Sequence, residues 1–259
     1  MSGKHAAYAR KLVNAEETKQ TMLALTDADA SLTVEDAYQI QLETIKIKLA
    51  QGKKVIGKKV GLTSTAMQKM LGVNEPDYGH LLNDMVVENG AAVRIDSLIS
   101  PKIEAEIGFI LEEDLEGPNL TYLDVLMATR FVVPTLEIID SRVADWKIKL
   151  VDTVADNGSS AKVVIGEKMS KLNGIDLRTN SMVLFKNNEL MATGAGAAAL
   201  GHPAHAIAWL GNKLHEFGMA LKKDELILPG ALSGANSVSS GDTIEAKFGA
   251  LGSVSVHFV

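Results

Sequence analysis

Pro101-Lys102-Ile103-Glu104-Ala105-Glu106-Ile107-Gly108-Phe109 is the stretch whose reading decides the fold. On an extended strand successive side chains point to opposite faces, so Ile103, Ala105 and Ile107 share one face while Glu104 and Glu106 share the other. A second run, Phe131-Val132-Val133-Pro134-Thr135-Leu136-Glu137-Ile138-Ile139, is apolar enough to be buried on both faces, with one acid in its middle. Two strands of this kind at the centre of the chain make a sheet the core of the protein.

Working outward, further strands are expected from Val55 to Leu62, Lys162 to Gly166, Leu226 to Leu228, Thr243 to Phe248 and Val254 to Phe258. Met182 to Met191 reads as a hairpin folded at Asn187-Asn188, a pair suited to the positive φ of a tight turn. Gly249 and Gly252 punctuate the last two strands as another hairpin. Helices come first: Ala7 to Leu25, then a second helix capped by Thr33 with Asp36 in the capping-box position and closed by Gly52. Two more are expected, one capped by Thr121 and ending near Arg130, the other from Ala204 to Phe217 with Gly218 as its stop. Strands and helices do not alternate, which excludes a doubly wound parallel sheet. The expectation is an α+β fold with an N-terminal helical part at 1–52 and a β-rich catalytic part at 53–259, forming one continuous unit.

Composition narrows the function. The 259 residues are 46% hydrophobic and 22% charged, an ordinary globular balance, and the net charge is −6. Nucleic-acid binding is not expected, because the one basic concentration is Lys53-Lys54 and Lys58-Lys59. With no cysteine, disulfides, thiolate metal sites and a cysteine nucleophile are excluded, in keeping with a reducing cytoplasm. The opening Met1-Ser2-Gly3-Lys4-His5 leads into a polar helix, and no apolar run reaches the length of a membrane span, so a cytoplasmic location is expected.

The acids carry the chemistry. Glu104 and Glu106, side by side, repel unless a cation sits between them. An ionised Glu137 in an apolar strand would cost several kcal/mol unless it is paired, for instance with Arg142, or binds a metal. Three carboxylates without cysteine or nearby histidine suit a hard, oxygen-loving ion such as Mg²⁺ or Mn²⁺. Lys59, if inward, can neutralise an acid or polarise a keto group. Asp77, between Pro76 and Tyr78, is either a second polar participant or a turn residue. The density of short polar groups from Asp140-Ser141-Arg142 through Asp145-Trp146 to Asp152 and Asp156-Asn157-Gly158-Ser159-Ser160 reads as a loop with a binding task. The run Thr193 to Pro203 lacks a full Gly-x-Gly-x-x-Gly and a surrounding βαβ unit, so it is not a dinucleotide site. Its small residues let backbone approach a ligand.

Taken together, Gly57-Lys58-Lys59-Val60-Gly61-Leu62-Thr63-Ser64, Glu75-Pro76-Asp77-Tyr78-Gly79, Pro101 to Glu106, Glu137-Ile138-Ile139-Asp140-Ser141-Arg142, Val154-Ala155-Asp156-Asn157 and Gly194 to Pro203 occur in an order that resembles the 2-keto-4-pentenoate hydratase / 4-oxalocrotonate decarboxylase family, within the fumarylacetoacetase-like superfamily. The resemblance spans essentially the whole chain. It implies a mixed β-roll, a Mg²⁺ or Mn²⁺ ion on Glu104, Glu106 and Glu137, an essential lysine and aspartate at Lys59 and Asp77, and substrate contacts at Leu62, Ser159, Ser160 and Gly194. The implied reaction is hydration of a 2-hydroxy-2,4-dienoate in aromatic meta-cleavage catabolism, with decarboxylation of a 4-oxalocrotonate-type diacid as the alternative.

Asp145-Trp146-Lys147-Ile148 and Asp152-Thr153 look like hydratase members, whereas Pro101 to Glu106 and Ser159-Ser160 are closer to decarboxylases. Asp145-Trp146 weighs toward hydration, since an extra polar group near the site could position water. Leu228-Pro229-Gly230 departs from the family pattern, which places a hydroxyl residue before that glycine. The implied partner is a small 2-keto or 2-hydroxydienoic acid; a homo-oligomer or a complex with a pathway enzyme is compatible with apolar faces on the N-terminal helices. Two other readings stand further off: a non-catalytic subunit of a pathway complex, and a C–C bond hydrolase using His202 or His205 with a glutamate.

Overall fold

The computed structural model describes residues 3–64, 68–69 and 72–259. Met1 and Ser2, at the start of the expected polar helix, lie outside the described residues. The first helix, α1 (Gly3–Thr18), is shorter than the periodicity predicts. Lys19 turns left-handed at φ 58° and the Gln20 N–H donates to the Ala15 carbonyl at 3.2 Å, a helix-closing motif. The chain leaves the helix because Met22 pairs with a distant segment: its N–H donates to Arg142 O at 2.9 Å and its carbonyl accepts from the Ala144 N–H at 2.9 Å. Leu25–Ala28 forms the separate short helix α2. Next, α3 (Val34–Ala50) begins as expected, with Thr33 and Asp36 capping each other reciprocally.

The larger sheet has eight strands. Seven follow in the order β2 (Asp77–Leu82), β1 (Val55–Gly61), β10 (Leu226–Leu228), β5 (Pro101–Leu111), β6 (Thr129–Asp140), β7 (Ser160–Ile165) and β3 (Val86–Glu88), and β11 (Asn236–Ser237) pairs with β5. The smaller sheet runs β4 (Ala92–Val93), β13 (Ser253–Phe258), β12 (Thr243–Lys247), β8 (Ser181–Lys186), β9 (Glu189–Ala195). Both are mixed: β1–β10, β3–β7 and β4–β13 are parallel, the other pairs antiparallel. The β8–β9 turn has Asn187 and Asn188 at φ 54° and 65°, the left-handed pair the sequence calls for. Among the elements described in full, the helices α4 (Tyr122–Met127), α5 (Leu150–Ala155) and α6 (Pro203–His215) interrupt the strands.

The centre is the antiparallel pair β5–β6, matched from Pro101 opposite Asp140 to Leu111 opposite Thr129. One face of β5, Ile103, Ala105, Ile107 and Phe109, is fully buried in a core that also takes in Leu12, Tyr38 and Ile40 from the N-terminal helices. Burying each large side chain there stabilises the fold by about 1.5–3 kcal/mol. The opposite face of the same strand carries Glu104 and Glu106. Among the described residues, no helix is long and apolar enough to cross a membrane.

Candidate active site

The register of β5 on β6 sets Glu104 directly across from Glu137. Glu106, two residues further, lies on the same face as Glu104. Each of the three offers a carboxylate oxygen within 4.8 Å of the others. Glu106 is 1% exposed and Glu137 0%. Glu106 accepts the Gly230 N–H at 2.7 Å, while neither oxygen of Glu137 accepts any hydrogen bond. Burial first, then the neighbouring Glu137 charge, pushes Glu104 up to about 7 against the pull of Lys59. Burial and the charges of Glu137 and Glu104 hold Glu106 well above the usual carboxylate range. Three such groups cannot all ionise side by side without a cation among them. Their donor set is all oxygen, which suits a hard divalent ion.

Across from them stands Lys59 on β1, 4% exposed, its Nζ 3.6 Å from Glu137 Oε2. Burial alone would lower this ammonium, but the charges of Glu137, Asp77, Glu104 and Glu106 together outweigh it and raise Lys59 above its ordinary value. Asp77 opens β2. Burial raises its carboxyl, opposed by the Lys59 charge and by the Thr153 hydroxyl, which donates to Oδ2 at 3.1 Å. Its Oδ1 is buried with no hydrogen-bond partner. The lysine stem runs across Gly158, where φ is +59° and a Cβ would come within 2.6 Å of Lys59 Cε and 3.0 Å of Nζ. Only glycine suits that position without displacing the ammonium.

Lys59, Asp77 and Glu104 face a cavity of about 400 Å³, whereas Glu106 and Glu137 are buried off its wall. Of the residues singled out in the sequence, Lys59, Asp77, Glu104, Leu62 and Ser159 line it, and Lys102, Trp146, Ile148, Thr153 and Ser233 are among the others on its wall. Ser159 also donates to Asp156 Oδ2 at 3.0 Å. Two residues expected to contact substrate lie off the cavity wall. Ser160 is the first residue of β7, its buried hydroxyl off the cavity wall. Gly194 lies in β9 outside the wall as well; a Cβ there would sit 1.9 Å from the Leu232 carbonyl oxygen. It lets the Leu232 backbone approach, and the loop beginning there supplies Ser233 to the cavity.

The aspartate-rich segment is also less catalytic than its density implies. Asp140 accepts the N–H groups of Ile99 and Ser100 at 2.8 and 2.6 Å. Asp152 accepts from Thr26 N, Thr26 Oγ1 and Lys149 N. Asp156 pairs with Arg142, whose guanidinium also donates to the Asp140 and Asp156 carbonyls, so Arg142 is not the partner of Glu137. Asp145 is exposed beside Lys147 and does not line the cavity; Trp146 does. No histidine is among the lining residues, and His202 and His205 cluster instead with Tyr122, which removes the basis for a His–Glu hydrolase.

Residues 54–259 match the model of the fumarylacetoacetate (FAA) hydrolase C-terminal family. The chain belongs to the fumarylacetoacetate hydrolase family. A 2-hydroxyhexa-2,4-dienoate hydratase of Comamonas testosteroni is 43% identical over 251 residues, 96% of this chain and 95% of the relative. A 4-oxalocrotonate decarboxylase of Pseudomonas sp. (strain CF600) is 42% identical over 253 residues, 98% of this chain and 96% of the relative. The structure of 4-oxalocrotonate decarboxylase from Pseudomonas putida G7, complexed with magnesium and adipate, superposes with a TM-score of 0.97 at 39% identity, covering 99% of this chain and 97% of that one. The α+β roll with N-terminal helices is therefore this family's fold, and the protein is one of its lyases, a hydratase or a decarboxylase.

Several residues shape this family member's site in ways that a reading of sequence alone does not give. Thr153 orients Asp77 from within an unremarkable helix, and Ser233 sits in a loop without periodicity. Asn157 brackets His80, its Oδ1 accepting that residue's N–H at 2.7 Å and its Nδ2 donating to the carbonyl at 2.9 Å. The available signals were the runs Asp152-Thr153 and Val154 to Asn157, and Asn-Gly at 157–158, a turn pair with left-handed preference.

Proposed function

We propose that this protein adds water to a 2-hydroxy-2,4-dienoate, giving a 4-hydroxy-2-keto acid. The observation that carries this is the convergence of half-buried Glu104 with buried Glu106 and Glu137, Glu104 opening onto a cavity that Lys59 and Asp77 also line. Glu104, Glu106 and Glu137 would hold Mg²⁺ or Mn²⁺, and the two Glu137 oxygens without hydrogen bonds fit that use. When bound, the ion supplies Lewis acidity toward the substrate's carboxylate and 2-oxygen.

The chain's own residues supply the rest. The Lys59 ammonium, held charged by four acids, stabilises negative charge developing on the 2-oxygen as the dienol loses its hydroxyl proton. Carbon 5 gains a proton, leaving an α,β-unsaturated ketone. Water then adds across that double bond, hydroxyl to carbon 4 and proton to carbon 3. Asp77 suits the proton transfers: its raised affinity brings it nearer working pH, Thr153 fixes one oxygen and the other is free for water or substrate. Leu62, Ile148 and Trp146 give the cavity an apolar wall for the carbon chain.

Decarboxylation of a 4-oxalocrotonate-type acid is the second reading. The same electron sink would accept the pair left when CO₂ departs. It is favoured by Asp145 facing solvent, which removes one argument for a dedicated water-positioning group, and by the nearly equal identity to relatives of both kinds. The test is a panel of dienols assayed with Mg²⁺, Mn²⁺ or chelator, following dienol loss and CO₂. Metal-dependent hydration without CO₂ is expected. Prompt CO₂ release from 2-hydroxymuconate would replace hydration by decarboxylation, and turnover indifferent to chelator would overturn both.

A further inference from the structure

We infer that Lys102 receives a second carboxylate at the far end of the substrate, so that the preferred substrates are diacids. This rests on the proposed use of Glu104, Glu106 and Glu137 for the metal and names the substrate class of that site. Lys102, Glu104 and Glu106 alternate with core residues on one face of β5, so the cation stands in line with the acids. At about 3.3 Å per residue, Lys102 lies about 7 Å along the strand from Glu104. That is close to the length of a six- or seven-carbon acid whose first carboxylate and 2-oxygen sit at the glutamates.

Lys102 lines the cavity and has no carboxylate within ion-pair distance among the described residues. Its ammonium rests 4.3 Å from the centre of the Trp146 ring. That ring is fixed: its Nε1 donates to the Ser100 carbonyl at 2.9 Å, and Asp145 and Trp146 both adopt left-handed φ, 57° and 56°, a backbone state that non-glycine residues take only when their surroundings enforce it. An aromatic face holds a cation in place without neutralising it. The site thus has two poles, a metal-binding acidic end and an unneutralised ammonium at the other, and a dicarboxylate bridges them.

The test compares a monoacid dienol, 2-hydroxypenta-2,4-dienoate, with a diacid dienol, 2-hydroxyhepta-2,4-dienedioate, in wild type, Lys102→Met and Lys102→Arg, all with Mg²⁺. The diacid-to-monoacid ratio of kcat/KM is expected to fall roughly 10- to 100-fold in Lys102→Met, mainly through KM, as for loss of a charge-assisted hydrogen bond. Lys102→Arg, which keeps the charge and can stack on Trp146, should restore most of it. A ratio within twofold of wild type in Lys102→Met, or equal losses on both substrates, overturns the inference. Calorimetry of Mn²⁺-loaded protein with adipate and hexanoate reads the same pole without turnover, and equal affinities for the two also overturn it. If neither dienol is turned over yet adipate binds in a Lys102-dependent way, the proposed reaction fails while the diacid site stands.

Discussion

Replacing Glu137 by Gln separates a metal ligand from a structural counter-ion. The side chain is fully buried, neither oxygen accepts a hydrogen bond, and its nearest cation is Lys59 at 3.6 Å, too long for a hydrogen bond. If Glu137 is a ligand, Gln preserves its shape and removes one of three crowded charges. The metal-free protein then loses little, because the same charge is what helps to raise Glu104 and Glu106. If Glu137 serves mainly as partner to Lys59, Gln strands a buried ammonium at a cost of about 3–5 kcal/mol. With Mn²⁺ at a hundred times its Kd, wild type gains about 2.7 kcal/mol of stability. For a chain of this length that is a rise in Tm of roughly 5–11 °C. Losing a direct ligand should weaken Mn²⁺ at least as much as losing a supporting group does, about 100-fold. At the same Mn²⁺ concentration the variant then gains only about 0.4 kcal/mol, or about 1 °C. Thermal melts with Mn²⁺ and with chelator measure all four states. A variant that melts far below wild type without metal, yet keeps the full Mn²⁺ shift, would refute the metal assignment.

Three further outcomes follow from the same geometry. Lys59→Met should lower kcat by about 10²–10³-fold with little change in KM, as for loss of a group that stabilises charge on a reacting oxygen; unchanged turnover would remove Lys59 from the reaction. Gly158→Ala should cost activity beyond stability, because its Cβ displaces the Lys59 ammonium; a shift near 1 Å predicts a loss of about 10²-fold with the fold retained by circular dichroism. Stability should fall in mild acid through His80, whose value burial, then Lys58, lower from 6.5 to about 3. The neutral ring is stable above the unfolded value of 6.5, and the unfolded chain takes up the proton first as pH falls. The loss therefore begins near pH 6.5, continues toward 3, and amounts to about 2 kcal/mol by pH 5. Urea unfolding at pH 7.5 and 5 should show it, and His80→Gln should flatten the difference.

The central strands were legible because period-2 alternation and burial constrain each other there. Glu104 and Glu106 break an apolar pattern on one face, and Glu137 breaks a strand apolar on both. Their meeting was expected from the family resemblance, but the strand pattern alone does not fix it, since it depends on a register set across α4 and on an irregularity between Ile110 and Leu111. The loop acids show the opposite failure. A carboxylate that satisfies backbone N–H groups, as Asp140 and Asp152 do, looks the same in sequence as one aimed at a ligand. The place of Ser160 off the cavity wall was not legible either: β6 and β7 slip in register between Ile138 and Ile139, and Ile139 is its partner. Lys58 and Lys59 point to opposite faces of β1, yet both are buried: β1 is an interior strand between β2 and β10, and Lys58 is neutralised by Glu225 at 2.7 Å.

The N-terminal helices carry none of the chemistry, yet they set where it happens. Gln41 of α3 donates through Nε2 to the carbonyls of Tyr78 and Val154, both at 2.8 Å. Its Oε1 must then accept, so the contact at 3.1 Å assigns the proton of neutral His80 to Nδ1. One buried amide thereby joins β2, which begins at Asp77, to α5, which carries Thr153. Thr26 of α2 holds α5 from the other side through Asp152, and Asn157 clasps the His80 backbone. Each of these bonds is made in a buried setting, where an unmet partner costs about 1–3 kcal/mol. The position of Asp77 relative to Lys59 therefore follows from a continuous network running from α2 and α3 through α5 to the Asn157-Gly158 turn. Placement of this kind distinguishes a catalytic cavity from a cluster of acids that merely binds an ion.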